Sequence, residues 1–167
     1  RDLVTKKTTR VSVPRVGQTD AWSAEPSLSP DGRCVAYCSW AGNLVRGDTN
    51  GTGDIFVYDR LFRTTTRVSL AASGARSSEM SYQPSISTGG RHVVFLSGAN
   101  LTGDGPQWAG GVFLRDCLWR TTSRVCTAAS ANGADDESWD PSVSADGQTV
   151  AFLSFAGNIV PGEGGGI

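Results

Sequence analysis

The sequence predicts an all-β chain assembled from repeated four-stranded antiparallel units, and three observations predict it. A block opening Pro-Ser at Pro26 returns at Pro84 and at Pro141, 58 and then 57 residues further on. Each copy runs Pro-Ser, a second Ser, a two-residue turn (Asp31-Gly32, Gly89-Gly90, Asp146-Gly147) and an apolar run closing on an aromatic, one residue and Ser. No stretch shows the apolar spacing of a helix. A period this even marks an array of supersecondary modules rather than one irregular core.

Taken in order, residues 8–13 (Thr-Thr-Arg-Val-Ser-Val) alternate and are rich in β-branched side chains, the pattern of a strand with one buried face; residues 65–70 and 122–127 repeat them. After a polar Gly/Ser linker comes a short strand over 26–29, the turn, and a strand over 34–39. That strand is apolar on both sides, with Val35 and Tyr37 on one face and Cys34, Ala36 and Cys38 on the other. It must therefore lie between two layers. A loop over 40–54, a strand over 55–59 and a turn over 61–64 complete the unit. Four-stranded sheets repeated radially and packed face to face make a β-propeller. A β-sandwich gives no reason for an even repeat.

The division this predicts is 1–13 as the end strands of an incomplete blade, 14–70 as the first repeat, 71–127 as the second, and 128–167 as the first part of a third. The count is three first, three second and three fourth strands, but only two complete third strands, at 55–59 and 112–116. Arg1-Asp2 matches Arg115-Asp116 inside a repeat, so the chain reads as a fragment or processed piece. Three blades cut within one blade leave two ends that complete a blade with each other or with a second copy.

A 38% apolar and 19% charged composition belongs to a soluble globular chain. No apolar run approaches the roughly 18 residues of a membrane span. Fifteen basic against 16 acidic residues leave a formal charge of −1. No global field then favours nucleic acid or an anionic membrane, and neither is expected as a partner.

The Pro-Ser-x-Ser-x-Asp-Gly-Arg-x-Val-Ala-Tyr block, the Asn-Leu-Val run at 43–45, the loop Gly47-Asp48-Thr49-Asn50-Gly51 and the strand Asp54-Ile55-Phe56-Val57-Tyr58-Asp59 together resemble the WD-repeat-like blades of TolB-type β-propellers. The resemblance covers nearly the whole chain. It implies the fold far more specifically than an activity, because such blades occur in periplasmic scaffold proteins, in secreted proteins and beside the catalytic domain of some peptidases. It also implies a periplasmic or secreted location. Similar propellers often have six blades, so two three-blade chains would close a ring, or this piece would sit beside further blades.

Two groups of residues are candidates for a site. In the loop at 48–54, Asp48, Asn50 and Asp54 place side-chain oxygens at the spacing of half a calcium loop, where a hard cation takes six to eight oxygens. The competing reading is an Asx turn in which Asp and Asn hold backbone amides. The sister loops keep one carboxylate each, Asp104 and Glu163. The second group precedes each repeat Pro: Glu25, Gln83 and Asp140, with Ser23, Ser81 and Ser138 two residues earlier. In a propeller these converge on one mouth of the central channel. Trp22, Tyr82 and Trp139 add aromatic surface that stacks on sugars or anchors peptides, unless it packs between blades.

Catalysis finds little support. His92 takes the strand position of Cys34 and Thr149, and no Gly-x-Ser-x-Gly elbow or phosphate-binding glycine loop occurs. The short acidic run at 135–137 reads as a solvated linker. Arg10, Arg67 and Arg124, with Arg63 and Arg120 in the adjoining turns, read as a basic rim that discourages edge pairing. The cysteines read as isolated thiols: Cys34 and Cys38 are too far apart along their strand to bond, and a turn centred on Trp119-Arg120 sets Cys117 against Thr122 and Cys126 against Phe113. The reading that results is a non-catalytic propeller binding module for protein or glycan partners, with one structural calcium. The alternatives are a propeller hydrolase, or the accessory propeller of a peptidase-like enzyme, using Glu25 and Asp140 as acid and base, or a structural subunit of a larger assembly.

Overall fold

The computed structural model describes residues 1–103, 110–126 and 136–160. It is all-β, with one 3₁₀ turn among the described residues, at Thr88–Gly90. The first antiparallel sheet runs β1 (Ser23–Leu28), β2 (Cys34–Ser39), β3 (Asp54–Asp59), β4 (Thr64–Arg67). The second repeats it as β5 (Ser81–Ile86), β6 (His92–Ser97), β7 (Gly111–Asp116), β8 (Thr121–Arg124). A third begins with β9 (Ser138–Val143) paired to β10 (Val150–Ser154). These are the blades of a partial β-propeller, with β1, β5 and β9 neighbouring one another along the hub side.

The repeat's conserved letters each close a backbone gap. The second Ser stops the first hairpin: Ser29 Oγ donates to Asp31 Oδ1 and accepts the Cys34 N–H at 2.8 Å, and Ser144 and Ser87 accept the Thr149 and His92 N–H groups in the same way. In the outer turns, Asp59 and Asp116 each take two backbone N–H groups, from Leu61 and Phe62 and from Leu118 and Trp119. Burial alone would raise the Asp116 carboxyl. The Trp119 N–H, the Arg91 guanidinium and the Leu118 N–H outweigh it and hold the group down at about 2.

The sheets stack by one rule. The Cys34, Ala36, Cys38 face of β2 packs onto Val93 and Phe95 of β6, and the Val94, Leu96 face of β6 packs onto Val150 and Phe152 of β10. Every residue of β2 is buried, as expected for a layer covered on both sides. The opposite face of β2, Val35 and Tyr37, packs with Phe56 and Tyr58 and is covered in part by Val11. Val68 holds the corresponding place between the first two blades.

Three expectations need correction. Residues 8–13 do not form a strand, because the described residues hold no third strand for them to pair with; Val11 alone is drawn in, by its apolar contact. In the β7–β8 hairpin, Thr122 lies opposite Arg115 rather than Cys117, since the Asp116-closed turn takes Cys117 out of the ladder. Cys126 lies past the end of β8, with its Sγ accepting the Val112 N–H. All four cysteines are free thiols, as the sequence leads one to expect.

Candidate functional site

The inner strands are longer than the short 26–29 segment expected, and each is broken by a bulge at its proline. Proline has no N–H to give to the ladder, so the strand kinks where it enters; the residue before it lies in the left-handed region. Glu25, Gln83 and Asp140 have φ of 52°, 51° and 49°. Non-glycine residues pay about 1 kcal/mol or more for this conformation, and it persists only where neighbours impose it.

Those neighbours are one another. The Glu25 carboxylate accepts the Gln83 N–H at 2.7 Å, and Gln83 Oε1 accepts the Asp140 N–H at 3.2 Å. Gln83 Nε2 donates back to Asp140 Oδ1 at 2.8 Å. In each step a side chain of one blade holds the strained backbone of the next. Glu25 and Asp140 are exposed and Gln83 is half-buried. The three residues singled out by position are thus brought together.

Their companions divide differently. Ser23 and Ser138 turn inward and bond Ser39 and Ser154 across the sheet, both at 2.9 Å, while Ser81 is fully buried. They seal the strand ends and offer nothing to a ligand. Tyr82 packs against both inter-blade cores, and Trp139 packs in the second and against Phe155. Trp22 is 62% exposed and stacks on Trp40 with ring centroids 3.9 Å apart and planes 9° off parallel. Sequence reasoning overlooked Trp40; its only signal was a place one residue beyond the buried Ser of the repeat.

The 48–54 loop does not present a coordination sphere. Arg67 Nη1 lies 3.0 Å from Asp48 Oδ1 and 3.1 Å from Asp54 Oδ2, with side chains 9%, 5% and 0% exposed. Asp54 Oδ1 accepts from Ser69, and Asn50 turns its NH₂, not its oxygen, toward Asp54. Burial raises the Asp48 carboxyl and the Asp54 charge adds to it, against the pull of Arg67. The donor set already holds an internal cation and does not fit calcium, and no group of three or more His, Cys, Asp or Glu suited to a metal occurs among the described residues. Asp104 and Glu163 lie outside them. Arg67 is therefore no rim residue; nor is Arg124, which lies over the Phe113 ring at 4.8 Å.

His92 is half-buried beside Asp116, its Nε2 3.2 Å from Oδ2. Burial pushes the Cys38 and Cys117 thiols up to about 12 and about 11.

No family model and no curated protein matches the chain. Among solved structures, it is similar to TolB from Acinetobacter baumannii at 19% identity and TM-score 0.45, covering 80% of this chain and 26% of that one. It is also similar to a putative TolB from Agrobacterium tumefaciens at 20% identity and TM-score 0.51, covering 84% and 40%. The likeness to the second supports the propeller fold. The chain spans less than half the length of either.

Proposed function

We propose that this chain is a non-catalytic propeller module whose hub-side rim, built by Glu25, Gln83 and Asp140 with Trp22 three residues ahead of Glu25, binds a protein or glycan partner. The observation that carries the reading is the ladder of left-handed residues locked side chain to backbone across three blades. Polar groups held this rigidly lose little entropy when a partner arrives. The hydrolase alternative gains nothing from it: Gln83 sits between the two carboxylates, bonded to each, where an acid and base would need a substrate. A periplasmic or secreted setting belongs to the same reading.

Glycine suits a positive φ, so Glu25→Gly, Gln83→Gly, Asp140→Gly strips the side chains without adding backbone strain. Glycan-array and peptide-display screens of the native chain should return ligands that the triple variant no longer binds, at a melting temperature within a few degrees. Turnover of ester, glycoside or peptide substrates that disappears in the variant would replace the binding reading with an enzyme.

In this reading further blades complete the ring. Ala151 and Leu153 are exposed at the positions where Ala36, Cys38, Val94 and Leu96 are buried against a following blade. The Asp140 carboxylate is the next acceptor in the hub ladder. A second copy satisfies both, and light scattering after gel filtration should show a self-associated species that Leu153→Glu disperses. A stable native monomer removes the two-chain ring.

A further inference from the structure

We propose that the cavity between the N-terminal segment and the outer rim of the first blade binds a phosphoryl or sulfo oxyanion. The cavity measures about 390 Å³ and is walled by Lys7, Arg10, Arg60 and Arg63, with the hydroxyl-bearing Thr9 and Tyr58. No carboxylate lines it. A chain of formal charge −1 thus gathers four of its 15 cations around one hollow.

The acidic groups nearby are otherwise engaged or few. Asp59 is held by Arg33 at 2.7 Å and by its turn amides. Asp2, which accepts the Val4 and Thr5 N–H groups, feels the Arg60 charge from outside the lining. Four cations against one carboxylate leave an unbalanced positive site. One of its members is pre-set: Arg60 Nη1 donates to the Gly32 carbonyl at 2.5 Å. Guanidinium forks match the oxygens of a tetrahedral oxyanion in pairs.

Comparison along the repeat argues that this is not merely rim chemistry common to every blade. At the corresponding places around the second blade stand Thr64 for Lys7, Cys117 for Arg60, Arg67 for Arg10, Arg115 for Tyr58 and Arg120 for Arg63. Arg67 is neutralised by Asp48 and Asp54, and Arg115 is buried and donates to Thr122 Oγ1. Of these three cations Arg120 alone is exposed, whereas Lys7, Arg10, Arg60 and Arg63 all are.

Calorimetry at low ionic strength with inorganic pyrophosphate, and in a second arm with glucose 6-phosphate, tests the proposal. Saturable binding is expected in at least one arm, and which arm shows it tells a free oxyanion from one on a sugar carrier. Lys7→Gln with Arg63→Gln, both exposed, should weaken it about tenfold or more at unchanged melting temperature, while Arg46→Gln leaves it intact. Added salt should weaken it too. No saturable heat in either arm, or equal binding by the Lys7→Gln, Arg63→Gln variant, overturns the site.

Discussion

Replacing Arg67 with methionine will destabilise the fold by about 3–5 kcal/mol, because it leaves two buried carboxylates without the charge that holds them. Asp48 and Asp54 have side chains 5% and 0% exposed, and Arg67 Nη1 meets both. Denaturant unfolding of Arg67→Met against the native chain checks the cost. If the charge is the cause, adding Asp48→Asn and Asp54→Asn to Arg67→Met should recover much of the loss. A triple variant no more stable than Arg67→Met alone would instead mean that Arg67 acts only by packing.

A second large effect is expected at Gly90. Its φ is 75°, and a Cβ there would stand 2.7 Å from Cys34 Sγ of the preceding blade and 3.0 Å from its Cβ. Gly90→Ala therefore adds an inter-blade clash to backbone strain, together about 3 kcal/mol. The neighbouring Gly89 has φ 68° and nothing within 4 Å of the same construction. Gly89→Ala should cost only the strain, about 1 kcal/mol. Cys34→Ala in the Gly90→Ala background opens room and should return part of the difference, measured as a coupling energy in a double-mutant cycle. The same contact recurs one blade on, where the His92 ring lies against Gly147. Glycine follows the turn residue in every copy because the position takes a positive φ, and at Gly90 and Gly147 the hairpin tip is also the floor for the blade before it.

Much of the propeller was legible in the chain because its signals are local and repeated. The Ser of each tip acts within five residues of itself, so reading Pro26, Pro84 and Pro141 as equivalents was enough to align the hub strands. The buried middle strand followed from Val35, Tyr37 and the alternate Cys34, Ala36, Cys38. The convergence of Glu25, Gln83 and Asp140 followed too, since a radial repeat sends equivalent positions to one place.

The partnerships of charged and aromatic side chains were not legible, because they join residues distant in sequence. Asp48 and Asp54 look like cation ligands in one dimension; the register of β4 against β3 brings Arg67 between them. Trp22 stands before the repeat Ser and Trp139 after it, and only the fold shows that Trp40 stacks on the first while the second packs between blades and against Phe155. The left-handed backbone at Gln83 and Asp140 likewise depends on the neighbouring blade for its hydrogen bonds. Sequence alone determined the module, its turns and its repeat, through short-range sterics and hydrophobic alternation. Tertiary structure decided which polar groups are spent on holding the blades together and which remain at the surface, because that depends on charges and hydrogen bonds meeting across sheets.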